Sequence, residues 1–309
     1  MTIDLVTPEP LTLDIVDRGV RPVRDHNTGN KNVTQMLYPA SRAERIIGHI
    51  LLILLSFVAV FPIYWMFSTS LKPANEINQL TVFPQAPTLD NYAFVWQSIP
   101  IVRILGNTFL VAGVETALQL LTSLLAAYAF ARWKFLGNRF LYALFAFTWL
   151  VPFQTTMIPN YVLVYQLGWL DSLAAIIVPQ LGSAFAVILL MQAVKGFPSE
   201  LIDSARCDGA SNWGVLWRII LPNLRAILAT LGVLLFISGW NDYFWPLLIT
   251  RHIENSVIQM GLSMFFTQEG NLWGPLMAAS SLASLPIFVI YLLLQRQVID
   301  SFVRSGLRA

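Results

Sequence analysis

Six stretches, at about 46–68, 104–131, 140–161, 172–194, 225–249 and 276–298, are rich in Leu, Ala, Val and Phe and long enough to cross a bilayer. A spanning helix needs roughly 20 mostly apolar residues to cross about 30 Å of hydrocarbon. None of the six alternates strictly between apolar and polar positions, as a barrel strand must. The pattern therefore predicts an all-α, polytopic membrane protein with six transmembrane helices. Residues 1–45 hold several prolines and charges but no sustained apolar period, and read as a poorly ordered extension preceding a membrane domain at 46–309.

Composition agrees with the pattern. Only 12% of the 309 residues are Asp, Glu, Lys or Arg, and the mean hydropathy is +0.63. Charge then sets orientation. Of the 19 Lys and Arg residues, all but Lys72, Arg103 and Arg251 lie on the two tails and on the second and fourth connections. By the positive-inside rule both termini and those connections face the cytoplasm. The first span is too long for a signal-peptide core, and "SLKPANE" after it offers no small-residue cleavage site, so it is expected to remain as an anchor.

The chain is poor in catalytic chemistry. Cys207 is the sole cysteine, which excludes an internal disulfide and a Cys-rich metal site. His26, His49 and His252 are far apart and sit in no metal-ligand pattern, so no metal site and no catalytic residues are assigned. The nearest approach to a phosphate loop, "TGNK" at 28–31, lacks its spacing. An ion-coupled carrier would be expected to show intramembrane carboxylates in two repeated halves; only Glu115 and Asp242 qualify, and there is no internal repeat. What remains is a transport or channel subunit whose energy arrives from outside.

One connection stands out. "ELIDSARCDGASNWGVLWRIILP" places five charges between apolar runs. Ser199 is suited to cap a helix over 200–208, with Glu200 in its first turn and Gly209 after Asp208 as a stop. A second amphipathic stretch, 211–220, groups Trp213, Leu216, Trp217 and Ile220 before Pro222 ends it. The hairpin reads equally as a solvated loop, with an Asp203–Arg206 pair, and as a docking site for a partner.

Two polar groups of residues sit inside spans. "SGWNDYFWPL" puts Trp240, Asn241, Asp242, Tyr243 and Trp245 late in the fifth, roughly 25 Å from Arg225 at about 1.5 Å per residue. Flat aromatic faces beside amide and carboxylate groups suit a polyhydroxylated solute; the same residues also suit an interfacial belt and helix packing. Glu115 has Gln119 at i+4 on the same face, an arrangement that serves interhelical hydrogen bonding as readily as a solute path.

"DSARCDGASNWGVLWRIILP" resembles the cytoplasmic-loop signature of ABC importer permeases. Asp203-Ser204-Ala205 stands at the opening Glu-Ala-Ala triad, Gly209 at its glycine, and Ile219-Ile220-Leu221-Pro222 at the closing Ile-x-Leu-Pro. Asp reaches one methylene less than Glu. "STSLKP", "NTFLVA", "AAYAFARWKFLGNR", "MIPNYVLVYQLGWLDSLAAIIVP", "WNDYFWPL" and "NLWGPLMAASSLASLPIFVIYLLLQR" extend the likeness to MalG-type permeases of carbohydrate uptake over residues 46–308.

The resemblance implies an inner-membrane permease subunit of a prokaryotic importer, surrounded by lipid, non-catalytic, and working by alternating access on a sugar or related polyol. It implies a second, similar permease, two copies of a cytoplasmic ATPase that bind ATP and Mg, and an extracytoplasmic solute-binding protein, with no nucleic acid. This chain would bind no cofactor. The loop 196–224 would couple to the ATPase through Glu200, Asp203, Ser204, Ala205, Asp208, Gly209 and Pro222. The external loop 69–103 would be either a partly ordered surface for the delivering protein or a simple covered loop. Glycerol-phosphate and glycerophosphodiester importers share this permease type, and a carrier or channel subunit is the reading from another class.

Overall fold

The computed structural model describes residues 42–267 and 270–306. The chain divides into two compact units, residues 1–60 and 61–309. Of the extension expected at 1–45, only 42–45 fall among the described residues, and these already belong to helix α1, Arg42–Ser70.

After α1 come α2 (Asp90–Ser98), α3 (Ile101–Arg132), α4 (Asn138–Thr148), α5 (Phe153–Gln166), α6 (Leu173–Ile177) and α7 (Ala184–Lys195). The second half holds α8 (Ser199–Cys207), α9 (Asn212–Gly214), α10 (Leu221–Asn223), α11 (Arg225–Trp240), α12 (Phe244–Ile249), α13 (Ile258–Ser263) and α14 (Trp273–Gly306). The architecture is all-α apart from a two-residue ladder pairing β1 (Phe266–Thr267) with β2 (Gly270–Asn271).

The six predicted spans are found, but not as six straight rods. Four are unbroken or nearly so: α1, α3, α11 with α12, and α14. The third is bent by 95° between α4 and α5, and the fourth by 45° between the segment Leu173–Gln180 and α7. Pro152 accounts for the first corner by driving Val151 out of helical backbone. In the fourth span α6 tightens into a 3₁₀ turn, Val178–Gln180, and three non-helical residues around Gly182 follow before Ser183 caps α7 by accepting from the Ala186 N–H at 3.2 Å.

Helix α3 forms the centre of the second unit and packs along α7 and α11, while α11 also packs on α14. Small residues allow the close approach, as is usual where lipid supplies no hydrophobic drive between helices. Ala112 is fully buried where α11 passes, and Ala278 and Ala279 of α14 are buried likewise. Where α3, α7 and α8 meet, Leu124, Leu190, Ile202 and Leu216 make one core cluster. Ile104, Trp240, Ile258 and Phe265 make another.

The long connection after α1 is folded. Lys72 is fully buried, with its Nζ donating to the Thr81 carbonyl at 2.6 Å and lying 4.6 Å over the Trp65 ring. Asn91 at the start of α2 donates to the carbonyls of Ser70 and Lys72, at 2.9 and 2.8 Å. These bonds wrap residues 71–89 around an ammonium group.

Candidate functional site

The charged hairpin is built as a rigid corner. Helix α8 begins at Ser199, with Pro198 in the capping position and no side-chain cap, so Ser199 does not serve as the cap expected of it. At the other end Gly209 adopts φ +82°, its N–H donates to the Arg206 carbonyl at 3.0 Å, and the Ala210 N–H donates to Ala205 at 2.9 Å. Those two bonds are the Schellman motif, which requires the left-handed residue that glycine supplies. Ser211 then caps the next helix by accepting from the Gly214 N–H at 3.1 Å.

Past that cap, α9 widens into a π-helical turn, Val215–Ile220, before α10. The expected grouping of Trp213, Leu216, Trp217 and Ile220 is divided as a result. Leu216 and Ile220 are buried in the bundle, whereas Trp213 and Trp217 are exposed and stack on each other at 6.5 Å. Pro222 lies inside α10 instead of ending the preceding stretch, and the chain turns only at Leu224.

Helix α8 is anchored through Ile202 and Ala205, both buried, while Glu200, Asp203, Ser204, Asp208 and Gly209 are exposed, as is Pro222. Asp203 and Arg206 approach to 4.0 Å across exposed surface, a pair worth little in stability. From α3, Tyr128 donates to the Asn212 carbonyl at 3.2 Å, and Arg132 donates to those of Val194 and Phe197 at 2.7 and 2.8 Å. The hairpin is thus fixed to the central helix.

Deeper in the second unit the interruptions converge. Glu115 and Gln119 on α3, Phe153 at the start of α5, Gln180 at the break of the fourth span, Ser238 on α11, and Asp242 line a cleft of about 400 Å³. Asp242 lies in a second interruption, Asn241–Tyr243, that parts α11 from α12. Gln180 bridges the two breaks, its Nε2 donating to Asp242 Oδ2 at 2.7 Å while its carbonyl accepts from Gln119 at 2.6 Å. Glu115 is 3% exposed, and its Oε1 has no hydrogen-bond partner among the described residues. Neither Lys nor Arg is among the described residues that line the cleft.

Three carbonyls at the break of the fourth span accept from α3. Thr122 donates to Leu181 at 3.0 Å and Ser123 to Ser183 at 3.4 Å, beside the Gln119 bond to Gln180. Unwound backbone at membrane depth is tolerated where it is buried in protein or lines a water-filled cavity. The cleft supplies such a cavity.

Of the residues singled out in the sequence, Glu115, Gln119, Asn241 and Asp242 come together here. Trp240 does not: it is buried against Phe236, 5.7 Å away. Trp245 is fully buried, with its indole N–H donating to the Ala175 carbonyl at 3.0 Å, and Tyr243 packs on Phe244 at 5.5 Å outside the cleft lining. Asn107 is committed to the carbonyls of Glu254 and Ser256. Gln180 was missed in the sequence; its signal was a carboxamide between Pro179 and Gly182 inside an apolar run.

On the end of the bundle away from α8, Asp171 closes a polar clasp. It holds φ +63°, its Oδ1 accepts from the N–H groups of Arg251 and His252, and its Oδ2 lies 2.6 Å from His252 Nδ1 and accepts from Asn255 at 3.0 Å. Desolvation acts to raise the Asp171 carboxyl, but the bonds from His252, Arg251 and Asn255 outweigh it and hold the group well below the usual carboxylate range. His252 is raised in turn, by its hydrogen bond to Asp171 and by that carboxylate's charge.

A family model described as "Binding-protein-dependent transport system inner membrane component" matches residues 119–304. The chain belongs to that family. It is a non-catalytic permease subunit of an ABC importer. The lactose transport system permease protein LacG of Rhizobium radiobacter is 31% identical to this permease over 264 residues, covering 85% of this chain and 97% of its own. The arabinooligosaccharides transport system permease protein AraQ of Bacillus subtilis is 29% identical over 87% of this chain and 98% of its own. The sn-glycerol-3-phosphate transport system permease protein UgpE of Rhizobium meliloti is 31% identical over 85% and 97%.

Among solved structures, a chain of a bacterial ABC transporter involved in the import of the acidic polysaccharide alginate superposes with a TM-score of 0.73 at 25% identity. The match covers 83% of this permease and 98% of that chain. A chain of a bacterial alginate ABC transporter in complex with an alginate pentasaccharide-bound periplasmic protein shares the fold, at TM-score 0.62 and 16% identity.

Proposed function

We propose that this permease carries a neutral polyhydroxylated solute, a saccharide or related polyol, past the cleft formed by Glu115, Gln119, Gln180 and Asp242. The observation that carries this reading is the chemistry of the lining: two carboxyl groups and three carboxamides, with neither Lys nor Arg among the described residues. Hydroxyl groups donate to such acceptors, and the unpartnered Glu115 Oε1 is one that a solute hydroxyl would satisfy. A phosphate ester or a uronate would instead bring its charge into a cleft that offers no Lys or Arg among the described residues to pair it. That favours the solute named for LacG or AraQ over the one named for UgpE.

Transport proceeds by alternating access, with ATP and Mg bound and hydrolysed in partner subunits. The distribution of Lys and Arg puts both termini and the hairpin 196–224 in the cytoplasm. There α8 docks on one of two ATPase copies, presenting Glu200, Asp203, Ser204 and Asp208, while Ile202 and Ala205 tie it to the bundle. A second permease completes the path. The external solute-binding protein docks on the opposite face, where the wrapped loop around Lys72 and the Asp171 clasp lie.

Reconstitution of the complete importer in proteoliposomes tests this. ATP-dependent uptake of lactose or arabinotriose is expected, together with its loss in Asp242→Lys. Uptake of sn-glycerol 3-phosphate alone, or uptake that persists without the ATPase, overturns the reading.

A further inference from the structure

The cleft at Glu115 does not end at Ser238. Leu235 and Ser238 also line a second cleft of about 620 Å³, whose other walls include Thr148, Trp149, Gly182 and Phe185. Each volume falls in the range that holds an organic ligand on its own.

This second cleft holds polar groups that hydrocarbon would leave unsatisfied. Gly182 is exposed in it, and the Gly182 peptide group has no hydrogen-bond partner among the described residues. Hydrocarbon cannot satisfy that group, whereas water or a hydroxylated solute can. Ser238 is exposed at the junction of the two clefts, and its hydroxyl makes no bond back to its own helix. Thr230 and Ser281, other helical hydroxyls, do bond back, to Ala226 and Met277.

The aromatic wall is equally uncommitted. Trp149 and Phe185 lie 5.9 Å apart with ring planes tilted by 32°, and Trp149 is 58% exposed. Its indole N–H has no partner among the described residues, in contrast to that of Trp245, which is spent on Ala175. A tilted pair of aromatic rings in a cleft that also holds an N–H, a hydroxyl and a peptide without partners among the described residues offers a pyranose or furanose both things it needs. The apolar C–H face lies on the rings, and the equatorial hydroxyls find donors and acceptors at the edge.

We infer that Trp149, Phe185, Ser238 and Gly182 form a second sugar subsite, occupied by one ring of a neutral saccharide of at least two units while another ring lies at Glu115 and Asp242. This rests on the neutral-solute reading above and extends it to solute length. The permease path is then matched to an oligosaccharide, read as an aromatic subsite followed by a hydrogen-bonding one.

The test uses the complete importer in proteoliposomes at saturating binding protein, with radiolabelled lactose and arabinotriose as probes and ATP hydrolysis followed alongside. Trp149→Ala is expected to lower sugar uptake about tenfold while hydrolysis stimulated by the liganded binding protein is kept. Trp149→Phe, which keeps a flat ring, should remain within about threefold of wild type. Wild-type uptake by Trp149→Ala overturns the subsite and leaves the neutral-solute reading standing, the ring then facing lipid or the partner permease. Failure of wild type to carry either sugar overturns the solute reading and the subsite together. Should Trp149→Ala not co-purify with the ATPase, Phe185→Ala carries the same test, because Phe185 lines the second cleft and not the one at Glu115. Sugar uptake lowered about tenfold with intact co-purification supports the subsite, and wild-type uptake by Phe185→Ala overturns it.

Discussion

A Cβ placed on Gly239 would stand 2.9 Å from Glu115 Oε2 and 3.4 Å from the Ala112 Cα. The glycine is what lets α11 lie against α3 at the level of the buried carboxylate. Gly239→Ala should therefore force Glu115 from its place or part the helices, at a cost of about 1–3 kcal/mol. Thermal melting of the detergent-solubilised importer measures it. Pairing the change with Glu115→Ala should recover most of the loss, since the obstructing oxygen is gone. Additive losses would mean that the backbone of α3, not the carboxylate, sets the limit.

Gly209 is a different case, because nothing lies within 4 Å of its Cβ position and only φ +82° constrains it. Gly209→Ala is expected to cost about 1–2 kcal/mol from backbone alone. Gly209→Asn should cost less, and Gly209→Pro should uncouple transport by removing both the left-handed backbone and the N–H that reaches Arg206. Sugar carried per ATP hydrolysed in proteoliposomes separates the three; equal ratios would exclude the corner from coupling.

Lys72→Ala removes the ammonium around which residues 71–89 are wrapped and leaves the Thr81 carbonyl without its donor. Hydrogen bonds to a charged group are worth about 1.5–3 kcal/mol, so the loop should open by about that much. Proteolytic cleavage within 74–88 should accelerate in the variant, while α8 continues to bind the ATPase. Cleavage at the wild-type rate would show that the loop holds without its ammonium.

The clasp between Asp171 and His252 makes the loops it ties together sensitive to pH. His252 is raised by its partner, so its contribution is complete below its ordinary value of 6.5 and is lost as pH climbs through the raised one. Asp171 is lowered, so its contribution is complete above 3.8 and fails only in stronger acid. The clasp is strongest between those two values. Hydrogen-exchange protection over residues 250–257, taken relative to the intrinsic exchange rate at each pH, should fall on going from pH 6 to 8.5, and Asp171→Asn should abolish that change.

How much of this was legible in the sequence varies with the physics involved. Span positions were readable because burying apolar length in hydrocarbon depends on composition over a long window. The breaks were not, because proline does not mark them uniquely: Pro62, Pro159 and Pro286 sit inside helices, whereas Pro152 stands at a 95° corner. Asp242 and Trp240 were grouped as neighbours in sequence. The non-helical turn at 241–243 then resets the helical phase, sending one to the cleft and the other to the core. Gly209 and its turn were legible, since the need for left-handed backbone is local.

The three side chains that α3 lends to the broken fourth span also have a mechanical consequence. Gln119, Thr122 and Ser123, within about one helical turn, donate to the carbonyls of Gln180, Leu181 and Ser183. Sliding α3 past that segment would strip all of them at once, so the two travel as a single lever. At the corner of the third span the N–H groups of Trp149, Leu150 and Val151 bond back to Ala146, Phe147 and Thr148, and the Pro152 carbonyl accepts from Thr155 at the start of α5, so the bend is held by local bonds of its own.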